Sequence, residues 1–129
     1  MKKLSLSVIL CVATASLAAI ANEQKPVCRN DGSGIDSAVC AHEDFVKADA
    51  QLNEAYQAAL ELLSGDRDRA DAKIALVGAQ REWIKFRDAD CQVQDRIFQQ
   101  GSMRAAMVEI CLKDLTDQRT RELKQLWLP

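Results

Sequence analysis

Apolar residues recur at spacings of three and four through most of this chain, the signature of helices that bury one face. From Ala38 to Leu63 the series is Val39, Phe45, Ala48, Leu52, Ala55, Tyr56, Ala59, Leu60 and Leu63. Asp36 or Ser37 is placed to cap that helix, and Ser64-Gly65 to end it, with Gly65 in the left-handed conformation. Asp66-Arg67-Asp68 reads as a polar turn, with Asp68 and Asp71 as a capping pair for a second helix. That helix runs to about Phe98 through Ile74, Val77, Trp83, Ile84, Cys91 and Ile97. Gly78, inside it, marks a place where another helix is expected to come close. Gln99-Gln100-Gly101-Ser102 is the next break, with Ser102 as the expected cap. The third helix carries Met103, Met107, Ile110, Cys111, Leu115, Leu123 and Leu126.

Strand alternation and internal repeats are missing from this pattern. Three long helices joined by tight turns predict an all-α, antiparallel bundle. The arm before it, Asn22 to Gly34, contains Pro26, Asn30-Asp31-Gly32 and Gly34 and predicts irregular backbone.

The first 21 positions form a different pattern. Met1-Lys2-Lys3 is a basic start, Leu4 to Leu17 an apolar run, and Ala19-Ile20-Ala21 a small-residue end. Together they predict a signal peptide over 1–21, cleaved after Ala21, and a single domain over 22–129. Cys11 lies within the apolar run behind Leu10, unlike a lipid-attachment cysteine, so no membrane anchor is expected. The predicted location is therefore the periplasm or the medium.

Export leaves Cys28, Cys40, Cys91 and Cys111, an even number in an oxidising compartment, which reads as two disulfides. Cys91 and Cys111 each lie ten residues from Gly101 and reach the same height if two helices fold back there. Cys28 and Cys40 then tie the arm to the start of the first helix. By the chain-entropy model, closing the Cys91–Cys111 loop is worth about 3 kcal/mol. The same symmetry about Gly101 sets Arg87 beside Leu115 and Thr116, and Trp83 beside Arg119.

Charge adds little to this picture. Removing Lys2 and Lys3 from 17 basic residues leaves 15 against 19 acidic ones, a net charge of −4. That balance argues against nucleic acid and mildly favours a basic protein partner. His42, near Cys40 and Glu43, lacks the three or four ligands that zinc requires and reads as an exposed helix histidine. Met103 and Met107 read as gap-filling core. There is no phosphate loop, nucleophile elbow or base histidine, so neither catalysis nor a cofactor is expected.

One stripe holds Gln80, Trp83, Ile84, Arg87 and Cys91 together, and Arg119 faces it. The Gln80, Trp83, Arg87 and Arg119 group reads either as a structural clasp or as an aromatic–arginine anchor for a partner. The turns at Gly65, Asp66 and Asp68 and at Gly101 and Ser102 are the candidate partner-facing elements.

Four ordered stretches carry a resemblance. They are Leu52-Asn53-x-x-Tyr56; Ala79-Gln80-Arg81-x-Trp83-Ile84-x-Phe86-Arg87-Asp88-Ala89-x-Cys91; Gly101-Ser102; and Cys111-Leu112-x-x-Leu115-Thr116-x-x-Arg119-Thr120-x-Glu122-Leu123. From about Cys28 to Leu126 the chain resembles the LprI-like family of small secreted bacterial domains, named for a mycobacterial lysozyme-inhibitor lipoprotein. The resemblance implies an envelope protein that binds and inhibits lysozyme. The alternative is a periplasmic interaction or immunity-type module whose partner is another envelope or toxin protein. The chain departs from the family in having no lipid-attachment box, and in Gln100, where a second glycine is common.

Overall fold

The structure is a computed structural model and describes residues 26–65 and 67–126. The leader expected over 1–21, its junction after Ala21, and Asp66 lie outside the described residues. Among the described residues there are three α-helices and no strand: α1 Gly34–Leu62, α2 Ala70–Ile97 and α3 Arg104–Lys124. A single 3-10 turn, Arg67–Arg69, leads into α2. The expected all-α antiparallel bundle is present, and so are both expected disulfides, Cys28–Cys40 and Cys91–Cys111.

With tight turns at both ends of α2, α1 and α3 run side by side in the same direction. They make the most extensive helix pair, while α2 leans mainly on α3. The residue pattern explains that intimacy. The buried positions of α1 are mostly small (Ala41, Ala48, Ala55, Ala59), and α3 contributes Ala106, Thr116 and Thr120. Short side chains let helix axes approach closely. Ala41, Ala48 and Ala55 recur every seven residues, interleaved with Phe45, Leu52 and Ala59, the 3.5-residue period of supercoiled helices. In α3 the matching series is Ala106, Glu109, Lys113, Thr116, Thr120 and Leu123. Polar residues thus occupy seam positions along much of α3. At the Gly65 end an apolar plug of Leu52, Ala55, Ala59, Leu63, Leu76 and Leu123 closes the bundle, with Tyr56, Leu60 and Trp83 packed against it.

Several local expectations differ. α1 begins at Gly34, and its cap is Ser33, whose hydroxyl accepts the Asp36 N–H at 3.1 Å. Asp36 is unavailable as a cap because its buried carboxylate receives the N–H groups of Arg29 and Asp31 at 2.7 and 2.8 Å. Ser37 instead donates its hydroxyl to the Ser33 carbonyl at 2.8 Å. Asn30 and Gly32, at φ of 55° and 78°, turn the arm back onto α1 so that these bonds and Cys28–Cys40 can form.

The first helix ends without a left-handed Gly65. Leu63 stays right-handed at φ −87°, and the Ser64 hydroxyl donates to the Leu60 carbonyl at 2.6 Å. Asp68 lies within the 3-10 turn, and Arg69 holds the N-cap position of α2. α3 is preceded by Met103 rather than capped by Ser102. Gly78 is exposed, and a methyl group there would meet nothing within 4 Å. The close approach occurs at Gly34. A Cβ on that residue would stand 2.9 Å from both the Cβ and the carbonyl oxygen of Ser102. The start of α1 therefore abuts the α2–α3 turn, which sets the height of α1 against α3.

Candidate functional site

Two constellations stand out, one inside the bundle and one at the end where Gly34 meets Ser102. The inner one is centred on Arg87. Its position four residues from both Trp83 and Cys91 aims it across α2 toward the other two helices. The guanidinium donates to Asp49 on α1 at 3.1 Å, to Thr116 on α3 at 3.3 Å and to its neighbour Asp88 at 2.9 Å. It also lies 5.3 Å from the Phe45 ring centroid and 5.4 Å from that of Trp83, within cation–π range. Arg87 thus touches all three helices and is only 8% exposed.

Arg119 also approaches Trp83, with its guanidinium carbon 6.0 Å from the ring centroid. It donates to buried Gln80 at 3.1 Å and to Glu122 at 3.1 Å. Hydrogen bonds from Gln118 and then from Arg119 hold the Glu122 carboxyl below its usual range. The structure therefore brings Gln80, Trp83, Arg87 and Arg119 together. Trp83 and Arg119 are half-buried, whereas Ile84, Phe86 and Asp88 face outward. Beside the cluster, Cys91 is 1% exposed and its disulfide pins α2 to α3, with 5.6 Å between the two Cα atoms.

The second constellation lies between the first turns of α1 and α3. His42 Nδ1 is 3.2 Å from Glu109 Oε1, joining the two helices. Above this pair runs an apolar groove of about 610 Å³, lined by Pro26, Ile35, Val39 and Ala105 among others. On the adjoining flank, Arg104 makes two bonds to Asp95, at 2.6 and 2.8 Å. That contact lowers the Asp95 pKa and raises that of Arg104.

The candidate turns separate in space. Gly101 and Ser102 border the groove region, and both are exposed. Gly65 and Asp68 are also exposed, at the far end of α2. At about 1.5 Å per residue, the 28 residues of α2 put the two ends roughly 42 Å apart. They cannot form one compact site. Cys28, Asp36 and Cys40 bring potential metal ligands together, but the two sulfurs are bonded to each other and offer no thiolates.

Sequence reasoning missed Asp49 and Phe45 as partners of Arg87, and the His42–Glu109 contact altogether. The second was signalled by Glu109 standing at a seam position of the α3 heptad. Asp49 carried no such mark.

The described residues define a small all-helical domain stapled by two disulfides, with its buried cation answered by its own carboxylate, hydroxyl and aromatic groups. Among the described residues, no helix is long and apolar enough to cross a membrane. The family model for lysozyme inhibitor LprI matches residues 28–123, and the chain belongs to that family. It is 35% identical to an uncharacterized protein of Rhizobium meliloti (strain 1021), over 95% of this chain and 91% of that one. No solved structure is a significant match.

Proposed function

We propose that the protein is exported to the bacterial envelope and there binds and inhibits lysozyme without performing catalysis. The match to the lysozyme-inhibitor family across residues 28–123 is the observation that carries this reading. Physical features agree with it. Two disulfides suit an oxidising compartment. The stapled helices offer a preformed surface that loses little freedom on binding. After removal of residues 1–21 the chain is net acidic, which steers it toward a basic enzyme that works through two cleft carboxylates.

The deciding experiment mixes the purified protein with an animal-type lysozyme and follows lysis of bacterial walls by turbidity. Calorimetry on the same pair measures binding. Dose-dependent inhibition with a matching heat supports the proposal. Unchanged lysis at micromolar excess, with no heat of binding, removes it and leaves the interaction-module alternative.

A further inference from the structure

We infer that the groove between the first turns of α1 and α3 is the docking slot for a basic side chain, an arginine or lysine projecting from a protein partner. The inference rests on the reading of this chain as a protein-binding domain and adds the surface and the chemistry it recognises.

The groove walls are apolar. Ile35, in the first turn of α1, is 82% exposed, and Val39 and Ala105 continue the lining inward. At the floor the character changes. Glu109 occupies a heptad seam position in α3, between buried Ala106 and the part-buried Lys113. One of its oxygens, Oε1, meets His42 Nδ1 at 3.2 Å. The other, Oε2, is enclosed and has no hydrogen-bond partner among the described residues. The neighbouring cations are already committed: Arg104 to Asp95 at 2.6 and 2.8 Å, and Lys113 to Asp117 at 2.7 Å.

A buried carboxylate oxygen without a donor is unfavourable, and the lack is best answered by a charged donor. The terminal torsion of a glutamate is soft, so a modest rotation turns that oxygen toward the groove. What fits is a long aliphatic stem with a cationic head, the stem against Ile35 and Val39 and the head on Glu109. An acidic residue would be repelled by Glu109, and a purely apolar one would leave the oxygen unanswered. The groove volume lies within the range of small-ligand sites and exceeds what one such side chain needs, leaving room for flanking residues of the partner.

The test titrates the protein with n-butylguanidinium and, separately, with uncharged n-butylurea, reading backbone amide shifts by NMR. Saturable shifts at Ile35, Ala105 and Glu109 are expected with the guanidinium and not with the urea. Glu109→Gln keeps the contact to His42 and should weaken the guanidinium by about tenfold or more. Ile35→Ser, remote from the carboxylate, should weaken it less. Shifts that do not saturate, or that are indifferent to Glu109→Gln, overturn the inference. Groove shifts that grow with protein concentration alone would make a second copy the occupant. Saturation that appears only in Lys25→Ala would make Lys25 of the same chain the occupant. Either result also overturns it.

A parallel lysozyme assay separates this inference from the broader function. Guanidinium binding without lysozyme inhibition would keep the slot and remove lysozyme as partner. Equal inhibition by wild type and Glu109→Gln would keep the function and remove the slot.

Discussion

Truncating Arg87 to alanine removes a side chain that bonds to all three helices, and the cost can be worked from its surroundings. Loss of a long buried stem lies at the low end of the roughly 2–5 kcal/mol range for large-to-alanine changes, because the guanidinium end is partly polar. Thr116, fully buried, loses its charged donor, worth about 1 kcal/mol more after its hydroxyl rotates toward backbone. Asp49 and Asp88 are 54% and 56% exposed, so they rehydrate. The ~3–5 kcal/mol penalty for stranding a buried charge therefore does not apply to them.

The sum is about 3 kcal/mol, a fall in Tm of roughly 12–24 °C for a domain of this size. Arg87→Met keeps most of the stem and should cost about 1 kcal/mol, or roughly 4–8 °C. Thermal and urea unfolding followed by circular dichroism measure both variants. Partner binding by the folded fraction, at low temperature, should be nearly unchanged. A clasp made of these contacts is refuted if Arg87→Ala unfolds within about 0.5 kcal/mol of wild type yet loses partner binding, since the arginine would then be an anchor.

The two disulfides make a sharper comparison than either alone. Replacing Cys91 and Cys111 together by serine opens a 20-residue loop and should cost about 3 kcal/mol. The 12-residue Cys28–Cys40 loop gives nearly the same figure, about 3 kcal/mol, by chain entropy alone. A smaller loss is expected there, because the freed arm also gains entropy in the folded state; equal shifts in urea midpoint would contradict this. Alanine at the two contrasting glycines should act in opposite directions. Gly78→Ala, in an open helix interior, should add up to about 1 kcal/mol. Gly34→Ala should destabilise, because its Cβ meets the Ser102 backbone oxygen at 2.9 Å; a melt showing two gains would mean that the contact yields without strain.

Much of the molecule is legible in its sequence. Three- and four-residue spacing marked the helices, because a helix that buries one face must repeat apolar residues at that period. The equal distances of Cys91 and Cys111 from Gly101 set their pairing. The same symmetry set Arg87 beside Thr116 and Trp83 beside Arg119, since antiparallel neighbours must match in height.

What failed was whatever depended on how far one helix slides or rotates against another. Gly78 has the form of a close-contact glycine but faces open space, while Gly34 carries the contact. Ile74 and Ile97 keep the period yet are 71% and 65% exposed, because α2 leans on α3 and turns those positions outward. Asp36 has the chemistry of a cap and was claimed instead by the folded-back arm. Asp49 reaches Arg87, and His42 reaches Glu109, only after α1 settles along α3. Local pattern decides which face of each rod is sticky. The offset and roll of α1 against α3 come with small side chains and one glycine contact, and that placement brings Asp49 to Arg87 and His42 to Glu109.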